Sequence, residues 1–333
     1  MEGGGRLVAP LSEPHRLPEL WFEDGNIVLQ AENSQFRVYR GVLAARSCVF
    51  QDMLGFPQPS DSELVEGCPL VHLPDSAGEV TTFLKAIFDS GCFLPYPFPT
   101  DFDTIAGTLR LAHKYEVGYL RARALVHLSS MFTFFNSATG PSTIPPSWNR
   151  PEEQAYKMCV VQLAREVDAL WILPTAFYSL STSSAALGTE IFHGTVYNGR
   201  PATLSELDQQ SFLNGNRIQA ASVVDHILRF LLFPVDIVGC TQPLCYKRRL
   251  QAFEANRQDR QESPYDPLHV WDENDWVLLS DVCAVCLKAM KQIHAEARHK
   301  FWDDLPRIYG LPPWPELERM RMAAIGADLE VLA

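Results

Sequence analysis

At Gly41 the hydrophobic period of the chain changes, and no other feature restricts the fold as much. Before it, Phe36-Arg37-Val38-Tyr39 alternates as a half-buried strand does. After it, Leu43, Ser47, Phe50 and Leu54 recur at helical spacing, with Val42, Val49 and Met53 beside them. Ile27 to Ala31 is a second short apolar run, parted from the first by the turn-like Glu32-Asn33-Ser34. The spacing predicts a β-hairpin that feeds an amphipathic helix. Order is expected from Leu20-Trp21-Phe22, with residues 1–17, rich in Gly and Pro, as a flexible tail.

Beyond a loop at 55–69, Leu70 to Leu73 reads as a short strand. Ser76 and Glu79 then form a capping-box pattern ahead of the apolar face Val80, Phe83, Leu84, Ile87 and Phe88. Ile105, Leu109 and Ala112 start a further helix, and Leu120 to Phe132 supplies another. Asn136 to Ser147 is rich in Gly, Pro and Ser and marks a linker. Past it, Val160, Ala164, Val167 and Trp171 predict a helix that ends near Pro174, followed by a loop over about 188–203. Ala221, Val224, Leu228 and Leu231 predict a helix before Pro234. A polar segment, 254–267, precedes a long last helix, about 275–303, whose stripe includes Leu279, Cys283, Cys286, Met290 and Phe301.

The strings FRVYRGVLAARSCVFQDML (Phe36 to Leu54), LVHLPDSAGEVTTFLKAIFD (Leu70 to Asp89) and LRLAHKYEVGYLRARALVHL (Leu109 to Leu128) together resemble the BTB/POZ family. The Leu-Ala-x-Lys-Tyr phrase is the most characteristic part, and the likeness covers about 20–132 in order. It implies an α+β fold, a small sheet flanked by helical hairpins, followed by a mainly α C-terminal region. The implied division is a tail at 1–17, a BTB/POZ domain at 18–133, a linker at 134–150 and a helical region at 151–333. The resemblance also implies an interaction surface carrying Phe36, Arg40, Gln51 and Leu54. Tyr39 departs from the family's usual His. In the family's dimeric branch an aspartate of the first strand pairs with the arginine matched by Arg40, and Asn26 stands at the aspartate position, with Asp24 two residues earlier. AREVDALWILPTAFY (Ala164 to Tyr178) and FWDDLPRIYGLPPWPEL (Phe301 to Leu317) resemble C-terminal regions of fungal BTB proteins of unassigned role.

Chemistry is sparse. Cys240-x4-Cys245 and Cys283-x2-Cys286 form two close pairs, the pattern from which structural zinc sites draw four thiolates. Two readings stay open: one structural zinc within 240–286, or a Cys283 and Cys286 that merely pack on the last helix as small hydrophobes. Cys48, Cys68, Cys92 and Cys159 are scattered singly. None of the nine histidines sits in an HExxH pair, His113 reads as a packing or surface residue, and Cys286 and His294 lie too far apart along one helix for a nucleophile–base contact. Glu152–Glu153 and Asp303–Asp304 are sequence neighbours whose side chains diverge on a helix. No phosphate-binding glycine loop occurs. An enzyme is therefore not expected.

The net charge of −12 disfavours direct binding to nucleic acid or anionic lipid. Lys247-Arg248-Arg249 is the one compact basic run, and it reads as a solvated face: residues 240–262 hold five Lys/Arg against three Asp/Glu. The most apolar stretch, Ile227 to Val238, is broken by Arg229, Pro234 and Asp236, and neither a membrane span nor a signal segment is expected. The expected role is an adaptor or scaffold that binds proteins, as a homodimer or docked to a cullin ubiquitin ligase. The alternative is a transcription or chromatin regulator acting through protein contacts. Nucleus and cytoplasm are both compatible with the sequence.

Overall fold

A computed structural model describes residues 14–56, 63–132, 135–136, 140–141, 145–259 and 265–326. Of the expected tail at 1–17, residues 1–13 lie outside the described residues. The protein is α+β and falls into two compact units, one of residues 1–131 with 145–150, the other of 132–144 with 151–333.

The first unit holds a mixed five-stranded sheet in the order β1-β3-β2-β5-β4, built from β1 (His15–Trp21), β2 (Ile27–Ala31), β3 (Ser34–Val38), β4 (Leu64–Val65) and β5 (Cys68–Leu73). β2 and β3 are the hairpin, antiparallel from Ile27↔Val38 to Ala31↔Ser34, with Glu32 at a φ of 50° in the tight turn. β1 runs parallel to β3 and starts at His15, inside the segment expected to be tail. The helices are α1 (Arg40–Arg46), α2 (Cys48–Gly55), α3 (Ala77–Phe88), α4 (Phe102–Lys114) and α5 (Gly118–Met131).

Ser47 breaks the predicted long helix in two. Its extended backbone caps α2, where Oγ accepts from Phe50 N at 3.0 Å and donates to Tyr115 O at 2.5 Å. The Tyr115 ring stacks on Phe50 (4.6 Å) and Phe83 (5.8 Å), and its hydroxyl donates to Asp75, which also pairs with Lys114 at 2.6 Å. The Lys-Tyr of the characteristic phrase thus closes α4 onto the strand-to-helix turn before α3. Ser76 caps α3 as expected, accepting from Glu79 N, while the Glu79 carboxylate pairs with Arg110 of α4.

Residues 145–150 correct the expected linker. Trp148 is 2% exposed, stacks near Phe102 and donates through Nε1 to His127 O at 2.9 Å; Ser147 Oγ meets His127 Nδ1 at 2.7 Å. His127 is itself fully buried, and burial lowers its pKa. This segment belongs to the core of the first unit.

The second unit contains β6 (Phe135–Asn136), β7 (Gly140–Pro141), α6 (Tyr156–Glu166), α7 (Leu173–Thr182), α8 (Ser184–Leu187), α9 (Glu190–His193), β8 (Thr195–Tyr197), β9 (Arg200–Ala202), α10 (Glu206–Ser222), α11 (Arg229–Leu232), α12 (Cys245–Asp259), α13 (Ala284–Ile308) and α14 (Trp314–Ile325). Pro174 does not end a helix: it stands in the first turn of α7, where its missing N–H leaves no hydrogen bond unmade. The predicted loop 188–203 contains a hairpin, β8–β9, turned by Asn198-Gly199 with φ of 46° and 76°. The last long helix begins at Ala284 and runs through Asp303 and Asp304, so these residues do not close it; Asp304 pairs one turn on with Arg307 at 3.0 Å. Among the described residues no helix is long and apolar enough to cross a membrane.

Candidate metal centre

The four cysteines of the two predicted pairs meet. The sulfurs of Cys240, Cys245, Cys283 and Cys286 all lie within 4.8 Å of one another, and among the described residues this is the one cluster of three or more potential metal ligands. A tetrahedral centre with metal–sulfur bonds of about 2.3 Å places its sulfurs about 3.8 Å apart. The Cys283 and Cys240 sulfurs are separated by 3.8 Å. All four cysteines are free thiols. The geometry can therefore hold a metal ion.

Each pair joins a loop-side residue to a helix start, whereas Cys283 and Cys286 are expected on the apolar stripe of the last helix. Cys240 sits in the loop after Gly239, whose φ of 86° suits glycine and turns the chain toward the cluster. Cys245 is the first residue of α12. Cys283 is the N-cap of α13, not a residue of its interior, and Cys286 lies in the first turn. The preceding apolar residues fail to continue the helix because Asp275 to Leu279 form a tighter 3-10 turn. Cys245 and Cys286 are buried, within a core that includes Leu231, Ala252, Trp271, Leu279 and Met290; Cys240 and Cys283 are partly exposed. The site thus has two dry and two accessible sulfurs.

Helix starts matter electrostatically. The backbone N–H of Cys286 faces the Cys283 thiol and helps to lower its pKa to about 7. Burial pushes Cys245 and Cys286 up instead. Cys283 N–H also donates to the Cys245 sulfur at 3.4 Å. A bound cation would overcome the burial that keeps the inner pair protonated, since coordination deprotonates thiols.

Sequence reasoning missed one member of this neighbourhood. Arg249, read as part of a solvated basic run, is 1% exposed, whereas Lys247 and Arg248 are exposed. It shares a concavity with Cys240, Cys245 and Cys286. Its one available signal is spacing: Arg249 follows Cys245 by one helical turn.

The other expected site residues are not brought together in this way. Phe36 is fully buried and Leu54 is 3% exposed, so neither lies on the surface of the first unit; both fill its core. Arg40 and Gln51 are exposed. Arg40 N donates to Asn26 Oδ1 at 2.8 Å, but its guanidinium is tied to Leu54 O and not to a carboxylate, and Asp24 accepts from the Tyr39 hydroxyl. His113 accepts from Arg121 Nε at 3.2 Å. Cys48, Cys68, Cys92 and Cys159 stand apart from the cluster. Comparison with family models, curated proteins and solved structures finds no match to this chain, and its function is therefore read from its own residues.

Proposed function

We propose that this chain is a protein-interaction adaptor without catalytic activity, with a BTB/POZ-type first unit and a second unit stabilised by one structural zinc ion. The observation that carries the adaptor reading lies in the α1–α2 pair. The two segments that resemble the family lock together through Ser47 and Tyr115, while Val42 of α1 (37% exposed), Gln51 of α2 and Phe56 just after it (70% exposed) face solvent. Apolar side chains exposed beside a rigid core favour a protein partner. A second copy of the chain and a cullin are the partners this reading names.

Zinc is favoured for the second unit by the donor set. Four thiolates in tetrahedral reach are soft ligands that suit zinc, and a complete set of four leaves no open position for a substrate. The metal would contribute folding energy and fix the 233–244 loop against the starts of α12 and α13.

The test is native mass spectrometry of the 333-residue chain, alone and mixed with a cullin. A dimer or a cullin complex that Phe56→Asp abolishes without unfolding the chain supports the adaptor reading. A monomer that takes up no cullin refutes it. One zinc per chain in the same spectra supports the structural metal.

A further inference from the structure

Arg249 projects from α12 into the second unit and is 1% exposed. Its Nη1 donates to Pro234 O at 2.8 Å and Val235 O at 3.3 Å, and its Nη2 to Phe230 O at 2.8 Å. Its Nε–H is shut from solvent and, among the described residues, has no hydrogen-bond partner. Among the described residues no carboxylate forms an ion pair with it within 4.0 Å, and Asp236, which lines the same concavity, is exposed. The Tyr246 ring lies under the guanidinium at 5.4 Å, a neutral contact at neutral pH.

A buried cation with no facing anion is strongly unfavourable. Carbonyl dipoles satisfy three of its contacts but carry no net charge. The groups left to answer it are the sulfurs of Cys240, Cys245 and Cys286, which border the same concavity. Four neutral thiols would leave the cation unanswered, and two disulfides would do the same. Four thiolates around a divalent ion carry a net charge of −2.

We infer that Arg249 is the counter-charge of an anionic tetrathiolate centre, a positioning residue that commits the four cysteines to a divalent thiophilic cation. This rests on the metal reading above and deepens it. Its Nε–H makes no hydrogen bond among the described residues, and a charged group beside the ligands of a metal site tunes that site from outside the ligand set. Through the carbonyls of Phe230, Pro234 and Val235, the same guanidinium ties the metal's charge to the backbone that leads into Cys240.

The experiment compares the 333-residue chain with Arg249→Met and Arg249→Lys. Zn²⁺ affinity is read by competition with a chromophoric chelator, and the sulfur-to-cobalt charge-transfer band is read after loading Co²⁺. Arg249→Met is expected to bind Zn²⁺ about 10- to 100-fold more weakly. Its charge-transfer band should move to longer wavelength, because removing a nearby cation raises the energy of the sulfur lone pairs. Arg249→Lys, which keeps the charge, should recover most of the affinity and hold the band near its original position. An Arg249→Met chain with unchanged affinity and band overturns the inference and leaves the metal reading standing, as does a lysine variant that loses as much as methionine. If Arg249→Met does not fold, the band of Arg249→Lys decides: unchanged supports the counter-charge, shifted refutes it. An unaltered chain that binds neither Zn²⁺ nor Co²⁺ overturns the metal reading itself, and the inference falls with it.

Discussion

The backbone N–H of Cys283 is directed at the sulfur of Cys245, 3.4 Å away across 38 residues of chain. This contact joins the N-terminal ends of α12 and α13, so loss of a ligand loosens two helices at once. Cys283→Ala is expected to bind no zinc. Chelation should lower the melting temperature of the unaltered chain but leave that of Cys283→Ala unchanged, because ligand-linked stability disappears with the ligand. Metal analysis and scanning fluorimetry with and without a chelator check both halves. Equal responses to the chelator would remove the cysteine cluster as the source of any metal effect.

The second unit should lose stability in acid through His294. Burial against Phe230 and Trp276, reinforced by the nearby Arg298 charge, lowers its folded pKa to about 4. In the unfolded chain the value is about 6.5. Above about 6.5 neither state is protonated and the histidine contributes no pH dependence. Between about 6.5 and 4 only the unfolded chain takes up the proton, so stability falls as pH falls, by up to about 3 kcal/mol. Below about 4 there is no further loss from this group. Urea midpoints at pH 7.5 and 4.5 should differ less in His294→Leu than in the unaltered chain; equal slopes would assign the acid sensitivity elsewhere.

Gly215, inside α10, is packed against Tyr309: a Cβ there would lie 2.0 Å from the ring. The ring cannot easily yield, since its hydroxyl donates to Gln219 Oε1 at 2.6 Å and meets Ser181 Oγ at 2.8 Å, and it stacks on Phe177 at 5.1 Å. In an exposed helix Ala would be better than Gly by about 1 kcal/mol. Here Gly215→Ala is expected to destabilise by about 1–3 kcal/mol, measured by chemical denaturation. A stabilised variant would mean that the Tyr309 ring does not press on Gly215 in solution.

In the first unit, neighbouring positions of α2 should behave oppositely. Phe50, fully buried and stacked on Tyr115, is expected to cost about 3–5 kcal/mol when replaced by Ala. Gln51→Ala, on the exposed side, should change stability by no more than about 0.5 kcal/mol. Its readout is partner binding, by sedimentation or native mass.

Much of the first unit was legible because its periods are strong and its caps have the expected residue types: the β2–β3 hairpin, the Ser76 cap and the apolar face of α3 all lie where spacing puts them. Ser47 could not be recognised as a break, because a serine at a helical position looks the same until its hydroxyl is seen to cap α2. In the second unit, α12 lies where no helix is expected, its last turns inside the polar segment 254–267. Its buried stripe is Cys245, Arg249, Ala252 and Asn256, so the face that enters the core is barely apolar and gives no hydrophobic period. The Asn198-Gly199 turn, by contrast, carries a strong hairpin signal inside a segment whose Gly-, Thr- and Asn-rich composition reads as loop. At the cluster, cysteine spacing announced four ligands, but charge counting alone could not tell a buried arginine from two exposed basic neighbours.

The order in which the four sulfurs appear along the chain sets a timetable for synthesis. Cys240 and Cys245 leave the ribosome as an incomplete pair, and the first turn of α13 follows 41 residues after Cys245. At about 5–20 residues per second, this is an interval of about 2–8 s. During it the loop before α12 has no partner to close on and its thiols are open to oxidants. Oxidation of that first pair within the interval would remove two of the four ligands before the other two exist.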